Sequence, residues 1–295
     1  MMFAENKAPT VENIRLAAER GDFHATVEDS DPTLTKEEGL LLARRHMAKR
    51  NSLGYKIKRF IAERIADIAT GRIHAKTELV GMERLELLPK GAIFTSTHYG
   101  PLDSTAVRKI IKKIGGGKLN IVSKVSNFAM TGLVGFLMNY TRTVPILDEP
   151  HYLARDLAPE IAEMLKNDEY VLIYPEASMW FGYKKPRPHL PGAYYYAAKN
   201  FVPVVPIFTE MIEDGEDVRY RVHIGEPIFP DIQKTHRENA RDMCEEDFRF
   251  KRATYEKVYG KPLDYAFTRD DIAGIEELLA PKNNKGAPQA NAARG

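Results

Sequence analysis

The sequence predicts an α/β protein in which a mixed, largely parallel sheet is flanked by helices and preceded by an N-terminal amphipathic helical segment. From residue 73 onward, short apolar runs alternate with stretches of helical spacing, which is typical of a sheet that is covered on both faces. The predicted strands are residues 73–80, 92–97, 119–123, 143–147, 170–174 and 202–208, and the predicted helices lie near residues 104–114, 130–140, 154–166 and 192–200. A turn signal at residues 213–217 adds a hairpin, and the composition of residues 236–259 predicts a charged helix.

The first 72 residues precede this alternation. Residues 1–32 are polar and weakly patterned, and we expect a loosely held arm there. Thr35 and Glu38 have the spacing of a capping box, which predicts the start of a helix. A second helical pattern carries one apolar stripe, which is formed by Leu53, Ile57, Phe60, Ile61, Ile65 and Ile68.

Basic side chains crowd these two helices, namely Arg44, Arg45, Lys49, Arg50, Lys56, Lys58, Arg59 and Arg64. A basic amphipathic helix can lie on an anionic membrane surface. The plainer alternative is that the apolar face packs on the rest of the protein and the lysines face water. We therefore assign residues 1–32 to a polar arm, 33–72 to a helical segment that is a candidate for membrane-surface contact, 73–260 to the α/β domain and 261–295 to a C-terminal extension of partly disordered composition.

Composition narrows the classes of function. The 295 residues are 43% hydrophobic and 28% charged with a formal net charge of only +2, so we expect no nucleic-acid partner. The single cysteine, Cys244, excludes an intramolecular disulfide framework and a zinc site built from cysteines, and it is compatible with a cytoplasmic protein. The N-terminus lacks the pattern of a secretory signal, and the uncharged stretch at residues 125–141 is short for a membrane span.

The first candidate site follows the predicted strand 92–97. His98 comes directly after this strand, and Asp103 lies at the expected helix start. Ligands of open α/β sheets gather at the carboxyl ends of strands, and a carboxylate that accepts the imidazole Nδ1–H leaves Nε2 free to act as a base. The same spacing recurs at His24–Asp29 and His151–Asp156, but neither of these pairs follows a strand.

The second candidate site follows the predicted strand 170–174, where Pro175 and Glu176 end an apolar run. A basic loop, residues 184–189, and a helix start at Gly192 come after it. Basic groups beside a helix start suit a phosphate or a phosphopantetheine tail. The alternative is a solvated basic loop.

Together these segments resemble the glycerolipid acyltransferase family, which includes the lysophosphatidic acid acyltransferases. Its first motif corresponds to His98-Tyr-Gly-Pro-Leu-Asp103, its third to Ile173-Tyr-Pro-Glu-Ala-Ser178 and its fourth to Val202-Pro-Val-Val-Pro-Ile207. The resemblance covers roughly residues 70–230 in the order and spacing that the family has. Several motifs in the right order are far more specific than any one of them.

Two departures from the family pattern concern substrate binding. Ala177 and Ser178 replace the Gly-Thr of the third motif, and the second motif, which usually ends in an arginine after an apolar strand, here ends in Leu147-Asp148. The nearest arginine is Arg142. Candidates for a phosphate ligand are therefore Arg142, Lys124 and Arg187, in no fixed order.

The resemblance implies transfer of a fatty acyl group from acyl-CoA or an acyl carrier protein to a hydroxyl of glycerol phosphate or a lysophospholipid. His98 is then the general base, and Asp103 orients it. Gly100, Pro101, Glu176 and Ser178 contribute to substrate binding, and backbone N–H groups at Tyr99 and Gly100 are candidates for the oxyanion site. Neither a metal nor a bound cofactor is required, since the thioester is a co-substrate.

We also expect a peripheral location on the cytoplasmic face of an anionic membrane. An apolar tunnel should leave the site, lined in part by Phe128, Met130, Leu133 and Phe136.

Two alternatives belong to other classes of function. A serine hydrolase would also use histidine and aspartate, but the sequence contains no Gly-x-Ser-x-Gly elbow. A catalytically silent relative that binds lipid or a partner protein is the second alternative.

A P-loop at residues 115–118 is excluded because Lys112 and Leu119 stand where glycine and serine or threonine are needed.

Overall fold

The centre of the structure is a sheet of seven strands, which runs through a computed structural model that describes residues 7–28, 32–215 and 217–275. The strands are β1 (Glu78–Val80), β2 (Ile93–Ser96), β3 (Leu119–Lys124), β4 (Thr143–Ile146), β5 (Tyr170–Ile173), β6 (Val204–Asp214) and β7 (Asp217–Ile224). Their order in the sheet is β1-β7-β6-β2-β5-β3-β4. Every strand that the sequence predicts is present.

Strand direction decides where a site can form. Strands β6, β2, β5, β3 and β4 are mutually parallel, whereas β7 pairs antiparallel with β6 through the hairpin expected at residues 213–217, and β1 is parallel to β7. The sheet is therefore mixed and largely parallel, as predicted. The carboxyl ends of the five parallel strands share one edge, which is where ligands of such sheets bind.

Helices cover both faces of this sheet. They are α1 (Ala8–Glu19), α2 (Lys36–Lys49), α3 (Leu53–Ile73), α4 (Ser104–Lys113), α5 (Gly132–Tyr140), α6 (Pro150–Tyr152), α7 (Ala158–Lys166), α8 (Gly192–Asn200) and α9 (His236–Tyr259), with a π-helical turn joining α6 to α7. The predicted capping box begins α2, where the Thr35 hydroxyl accepts from the Glu38 N–H. The first strand is shorter than expected because α3 continues through Ile73 and only Glu78–Val80 pairs with β7.

Consecutive residues of one strand pack into hydrophobic cores on opposite faces of the sheet. Ile93 and Val171 belong to the core under α2, α7 and α8, whereas Phe94 and Leu172 belong to the core under α4. This alternation is the period of two that a strand imposes on its side chains. Both faces of β2 and β5 are therefore buried, which explains why these strands read as continuous apolar runs.

The N-terminal region corrects one expectation. Residues 1–32 were expected to form a loosely held arm, but within them α1 buries Val11, Ile14 and Ala17 against Trp180 and Ile272. These three apolar residues recur at helical spacing, and they are too few and too small to stand out in a polar segment.

The apolar stripe of α3 does not pack on the rest of the protein. Leu53, Ile57, Phe60, Ile61 and Ile68 are 74%, 55%, 63%, 47% and 56% exposed. The face that does pack carries Tyr55, Ala62, Ala66 and Thr70 instead. The plainer alternative for this helix is therefore wrong, because Tyr55 and three small residues make the contact, and of the six stripe residues only Ile65 is half-buried.

Two further findings bear on the expected organisation. In the described ranges, no helix is both long and apolar enough to cross a bilayer. Residues 261–275 pack against the loop that follows β5, where Asp271 pairs with Lys185 at 2.9 Å. The predicted disordered composition from Pro281 onward lies outside the described residues.

Candidate active site

Four neighbouring parallel strands bring the candidate residues to one edge of the sheet. His98 follows β2, Glu176 follows β5, Lys124 ends β3 and Asp148 follows β4. A cavity of about 640 Å³ lies at this edge and is lined by His98, Pro101, Asp103, Lys124 and Ser178 among others. The structure thus joins most of the predicted site residues in one place.

His98 and Asp103 form the pair that the sequence predicts. The His98 Nδ1 atom is 2.7 Å from Asp103 Oδ2, and the histidine side chain is 20% exposed whereas the aspartate is buried. Because the Asp103 carboxylate can only accept, Nδ1 donates this hydrogen bond. The proton of the neutral imidazole therefore lies on Nδ1. Among the described residues Nε2 has no hydrogen-bond partner, so its lone pair is available to a substrate in the cavity.

Asp103 is held by further donors. The Tyr99 and Gly100 backbone N–H groups donate to Oδ2 at 3.2 and 3.5 Å, and the Tyr174 hydroxyl donates to Oδ1 at 2.5 Å. The two backbone groups were expected to form the oxyanion site, but that expectation is wrong because they already bind this carboxylate. Their role is to fix Asp103 in front of His98.

Tyr174 is a site residue that the sequence reading missed. Its ring stacks on the His98 ring with centroids 3.9 Å apart and an interplanar angle of 13°. Burial, and secondly the Asp103 charge, raise the pKa of the Tyr174 hydroxyl well above its ordinary value, so the hydroxyl remains a donor. Tyr174 therefore holds both members of the pair from one side.

We expect Tyr174→Phe to lower kcat about tenfold, because it removes one hydrogen bond to a charged group that positions the base. The phenylalanine ring keeps the stack on His98, so KM and the melting temperature should change little. Steady-state kinetics of the reaction at His98 give kcat and KM, and a thermal melt gives the melting temperature. An unchanged kcat would show that the hydroxyl has no positioning role.

Glu176 and Arg187 do not face the cavity as substrate ligands. They form a buried ion pair, with Arg187 Nη2 2.9 Å from Glu176 Oε2 and exposures of 0% and 2%. Glu176 also accepts from the His98 and Arg187 backbone N–H groups at 3.1 and 3.0 Å. This buried pair anchors the catalytic loop, and Arg187 is not available to a phosphate.

Arg142 is also excluded as a ligand in this cavity. It immediately precedes β4, which places it at the amino end of that strand, opposite to the edge where His98 lies. Its Nε atom is 2.5 Å from Glu63 Oε1 on α3. Of the three phosphate-ligand candidates, Lys124 alone lines the cavity.

The remaining predicted ligands fall around the His98 loop. Ser178 lines the cavity and donates its hydroxyl to the His24 carbonyl at 2.9 Å. Pro101 and Asp103 line this cavity and also a second one of about 260 Å³, which Gly100 lines as well. Gly100 therefore does not line the cavity that contains His98. Its observed contact is the backbone N–H bond to Asp103.

The apolar wall of the cavity comes from a different face of α5 than expected. Met130 lines it as predicted, together with Val134 and Met138 at successive helical turns. Phe128 is buried against His46, and Leu133 is 63% exposed. Phe136 is also absent from the lining in the described structure.

An N-terminal strap, residues 22–28, closes one side of the cavity. Three of its carbonyls accept hydrogen bonds from side chains of the segment after β5, Phe23 from Arg187 at 2.8 Å, His24 from Ser178 and Ala25 from Trp180 at 3.0 Å. Further along the strap, Thr26 and Glu28 line the cavity beside His98. Sequence reasoning missed this strap because its contacts with the loop after β5 span more than 150 residues.

Comparison with known proteins agrees with the site. Residues 78–210 match the family model described as Acyltransferase. Among solved structures, the 1-acyl-sn-glycerophosphate (LPA) acyltransferase PlsC from Thermotoga maritima is similar, with a TM-score of 0.47 and 16% identity over 88% of this chain and 98% of that chain. No curated protein matches the sequence. The segment that matches the Acyltransferase family model runs from β1 into β6 and contains His98, Asp103 and Glu176, in agreement with the resemblance that the sequence motifs indicate.

Proposed function

We propose that this protein transfers a fatty acyl group from an acyl thioester to a hydroxyl of glycerol phosphate or of a lysophospholipid. The observation that carries the proposal is the His98–Asp103 pair at 2.7 Å, with Nε2 free, beside a large and mostly apolar cavity. Its position in the segment that matches the Acyltransferase family model supports the same reaction. The product is an ester lipid, so the reaction belongs to phospholipid biosynthesis.

His98 acts as the general base in this reaction. Its Nε2 takes the proton of the acceptor hydroxyl while the hydroxyl oxygen attacks the thioester carbonyl carbon. The carbon–sulfur bond then breaks, and the proton passes from His98 to the departing thiolate. Asp103 keeps the Nδ1–H in place and stabilises the imidazolium that forms between these steps. No acyl-enzyme intermediate is needed, because the acceptor is itself the nucleophile.

The cavity is suited to the fatty acyl chain of the donor, which is acyl-CoA or an acyl carrier protein. Met130, Val134 and Met138 give it an apolar wall, and flexible methionine side chains adapt to chains of irregular shape. The donor is a co-substrate and leaves as a free thiol after each turnover.

The exposed face of α3 supports a membrane-bound location. Ile57, Phe60 and Ile61 are each about half exposed or more, and Lys56, Lys58 and Arg59 lie among them. Large apolar groups flanked by cations are typical of helices that lie in the interface of an anionic bilayer. We propose that the enzyme sits peripherally on the cytoplasmic face, with α3 against the lipid.

We expect Phe60→Glu to reduce binding to vesicles of phosphatidylglycerol and phosphatidylcholine at least tenfold. The change removes apolar area that the bilayer would bury, and it adds repulsion between the glutamate and the anionic lipid. Leu87→Glu is the matched control, since Leu87 is 94% exposed but lies outside α3. Vesicle co-sedimentation at low salt measures both variants. Equal binding by the two would show that α3 is not the membrane contact.

The reaction is tested by supplying labelled acyl-CoA or acyl carrier protein with a panel of lysolipids and glycerol 3-phosphate. Acceptor-dependent ester formation by the wild type supports the proposal and identifies the acceptor. Release of free fatty acid without any dependence on acceptor would indicate a thioester or ester hydrolase. No product with any donor and acceptor would indicate a catalytically silent relative that binds lipid or a partner.

A further inference from the structure

The cavity beside His98 extends over both faces of the sheet. Two consecutive residues of β3, Ile121 and Val122, both line it. Ile121 belongs to the core under α4, whereas Val122 belongs to the core under α2, α7 and α8. Since side chains of consecutive strand residues point to opposite faces, the cavity passes around the carboxyl ends of the strands and has two arms.

The first arm, the α5 arm, lies on the face that carries α4. Its lining residues are Ile121, Val134, Met138 and Thr143. The Thr143 hydroxyl donates to the Met138 carbonyl. Arg108 of α4 donates to the carbonyl of Thr141, directly after α5, at 2.9 Å. These bonds place α5 beside α4, and the arm between them contains the apolar wall proposed for the acyl chain of the donor.

The second arm, the α8 arm, lies on the opposite face. Its lining residues are Val122, Ile146, Leu153, Ile173, Ala193 and Tyr196, and all six belong to the core under α2, α7 and α8 or pack against it. None of the six is charged, and Tyr196 alone among them has a polar side-chain group. A pantetheine chain carries amides that need hydrogen-bond partners, which apolar walls do not supply. The α8 arm is therefore suited to a second hydrocarbon chain.

Lys124 links the α8 arm to the acceptor. It lies two positions after Val122 and pairs in register with Ile146 of β4, so its side chain leaves the strand on the face of the α8 arm. Lys124 is also the phosphate-ligand candidate that lines the cavity. A phosphate bound to Lys124 would place the hydrocarbon chain of the same molecule at the mouth of the α8 arm.

We infer, on the basis of the proposed function, that the acceptor binds with its own acyl chain inside the protein, in the α8 arm, while the chain of the donor occupies the α5 arm. The two chains then lie on opposite faces of the sheet. Their reacting ends meet at the strand ends, where His98 lies. An acceptor without a chain, such as glycerol 3-phosphate, would leave the α8 arm unfilled.

Counting bound chains tests this inference without turnover. Dodecanoate is titrated into the full-length protein below its micelle concentration, and the complexes are counted by native mass spectrometry. We expect two dodecanoates for each wild-type chain. S-dodecyl-coenzyme A, a thioether that cannot transfer its chain, should displace one of them, and 1-dodecanoyl lysophosphatidic acid should displace the other. Fewer than two bound dodecanoates, or displacement of both by the coenzyme A compound, overturns the inference.

Filling each arm separately locates the two chains. Val134→Phe should remove the dodecanoate that S-dodecyl-coenzyme A displaces, and Ala193→Phe should remove the one that the lysolipid displaces. Leu133→Phe is the matched control and should keep both, because Leu133 precedes Val134 on α5 but is 63% exposed and lies outside the described cavity lining. Since Ala193 is buried, Leu153→Trp, at a half-buried position of the same arm, replaces Ala193→Phe if that variant does not fold.

The variants can also contradict the inference. Loss of the same dodecanoate in Val134→Phe and Ala193→Phe would show that one chain spans the cavity. Two dodecanoates that remain in both variants would lie on an outer surface such as α3. A loss pattern with the two arms exchanged would contradict the assignment of donor and acceptor. Each of these results overturns the inference.

The outcomes distinguish this inference from the proposed function. Two dodecanoates in separate arms support it even if no acyl transfer to any acceptor is detected. Acyl transfer by a protein that binds one chain would overturn it and leave the proposed function standing. In a transfer assay, each methylene added to the lysolipid chain should raise kcat/KM about fourfold until the arm is filled. Ala193→Phe should shorten the chain length at which this rise stops.

Discussion

Replacing His98 with alanine is expected to lower kcat for acyl transfer by about 10²–10⁴-fold, which is the usual contribution of a general base. The imidazole Nε2 is the only basic atom of the His98–Asp103 pair that is free to reach a hydroxyl in the cavity. The fold should survive the change, because Asp103 keeps its bonds from Tyr99, Gly100 and Tyr174. Near-identical circular dichroism and melting temperature would confirm this.

The chain supplies its own control for His98. His151 has the same spacing from Asp156 as His98 has from Asp103, but His151 is exposed on α6 and Asp156 pairs with Arg44 at 3.3 Å. His151→Ala should therefore leave kcat unchanged. If His98→Ala transferred acyl groups as fast as the wild type, the base would have to be another residue and the proposed mechanism would be wrong.

The sequence predicted the fold well because its signals are local. Each parallel strand is a short apolar run, and each helix between strands has its own spacing and caps, as Thr35 and Glu38 show. The His98–Asp103 pair was found for the same reason, since both residues lie in one turn after β2. These features depend on a few consecutive residues and need no knowledge of the rest of the chain.

The parts of the site that the sequence did not reveal depend on contacts between distant segments. Tyr174 reaches Asp103 across 71 positions, and residue type alone does not distinguish it from an ordinary strand end. Glu28 belongs to a segment that resembles a polar arm until α1 and the strap fold over the cavity. Arg187 was a candidate phosphate ligand, or alternatively part of a solvated basic loop, but the structure buries it completely.

Arg187→Met is expected to destabilise the protein by about 3–5 kcal/mol, the cost of removing one partner from a buried ion pair. Glu176 would stay 2% exposed without its guanidinium partner, and the strap would lose the donor that holds the Phe23 carbonyl. The guanidinium also lies over the Trp180 ring at 4.6 Å. Urea unfolding at neutral pH measures the change in the free energy of unfolding.

A control variant distinguishes the effect of breaking the buried ion pair from the effect of removing any arginine side chain. Arg252→Met is the matched control, because Arg252 pairs with Glu256 at 3.0 Å on the exposed face of α9, and exposed pairs of this kind contribute little. Adding Glu176→Gln to Arg187→Met should recover part of the stability, since it removes the unpaired buried charge. A loss for Arg187→Met no larger than for Arg252→Met would contradict the view that this pair anchors the loop beside His98. If the loss is large and the double variant recovers, then the glutamate and arginine of the candidate site hold the catalytic loop and the strap together and do not bind substrate.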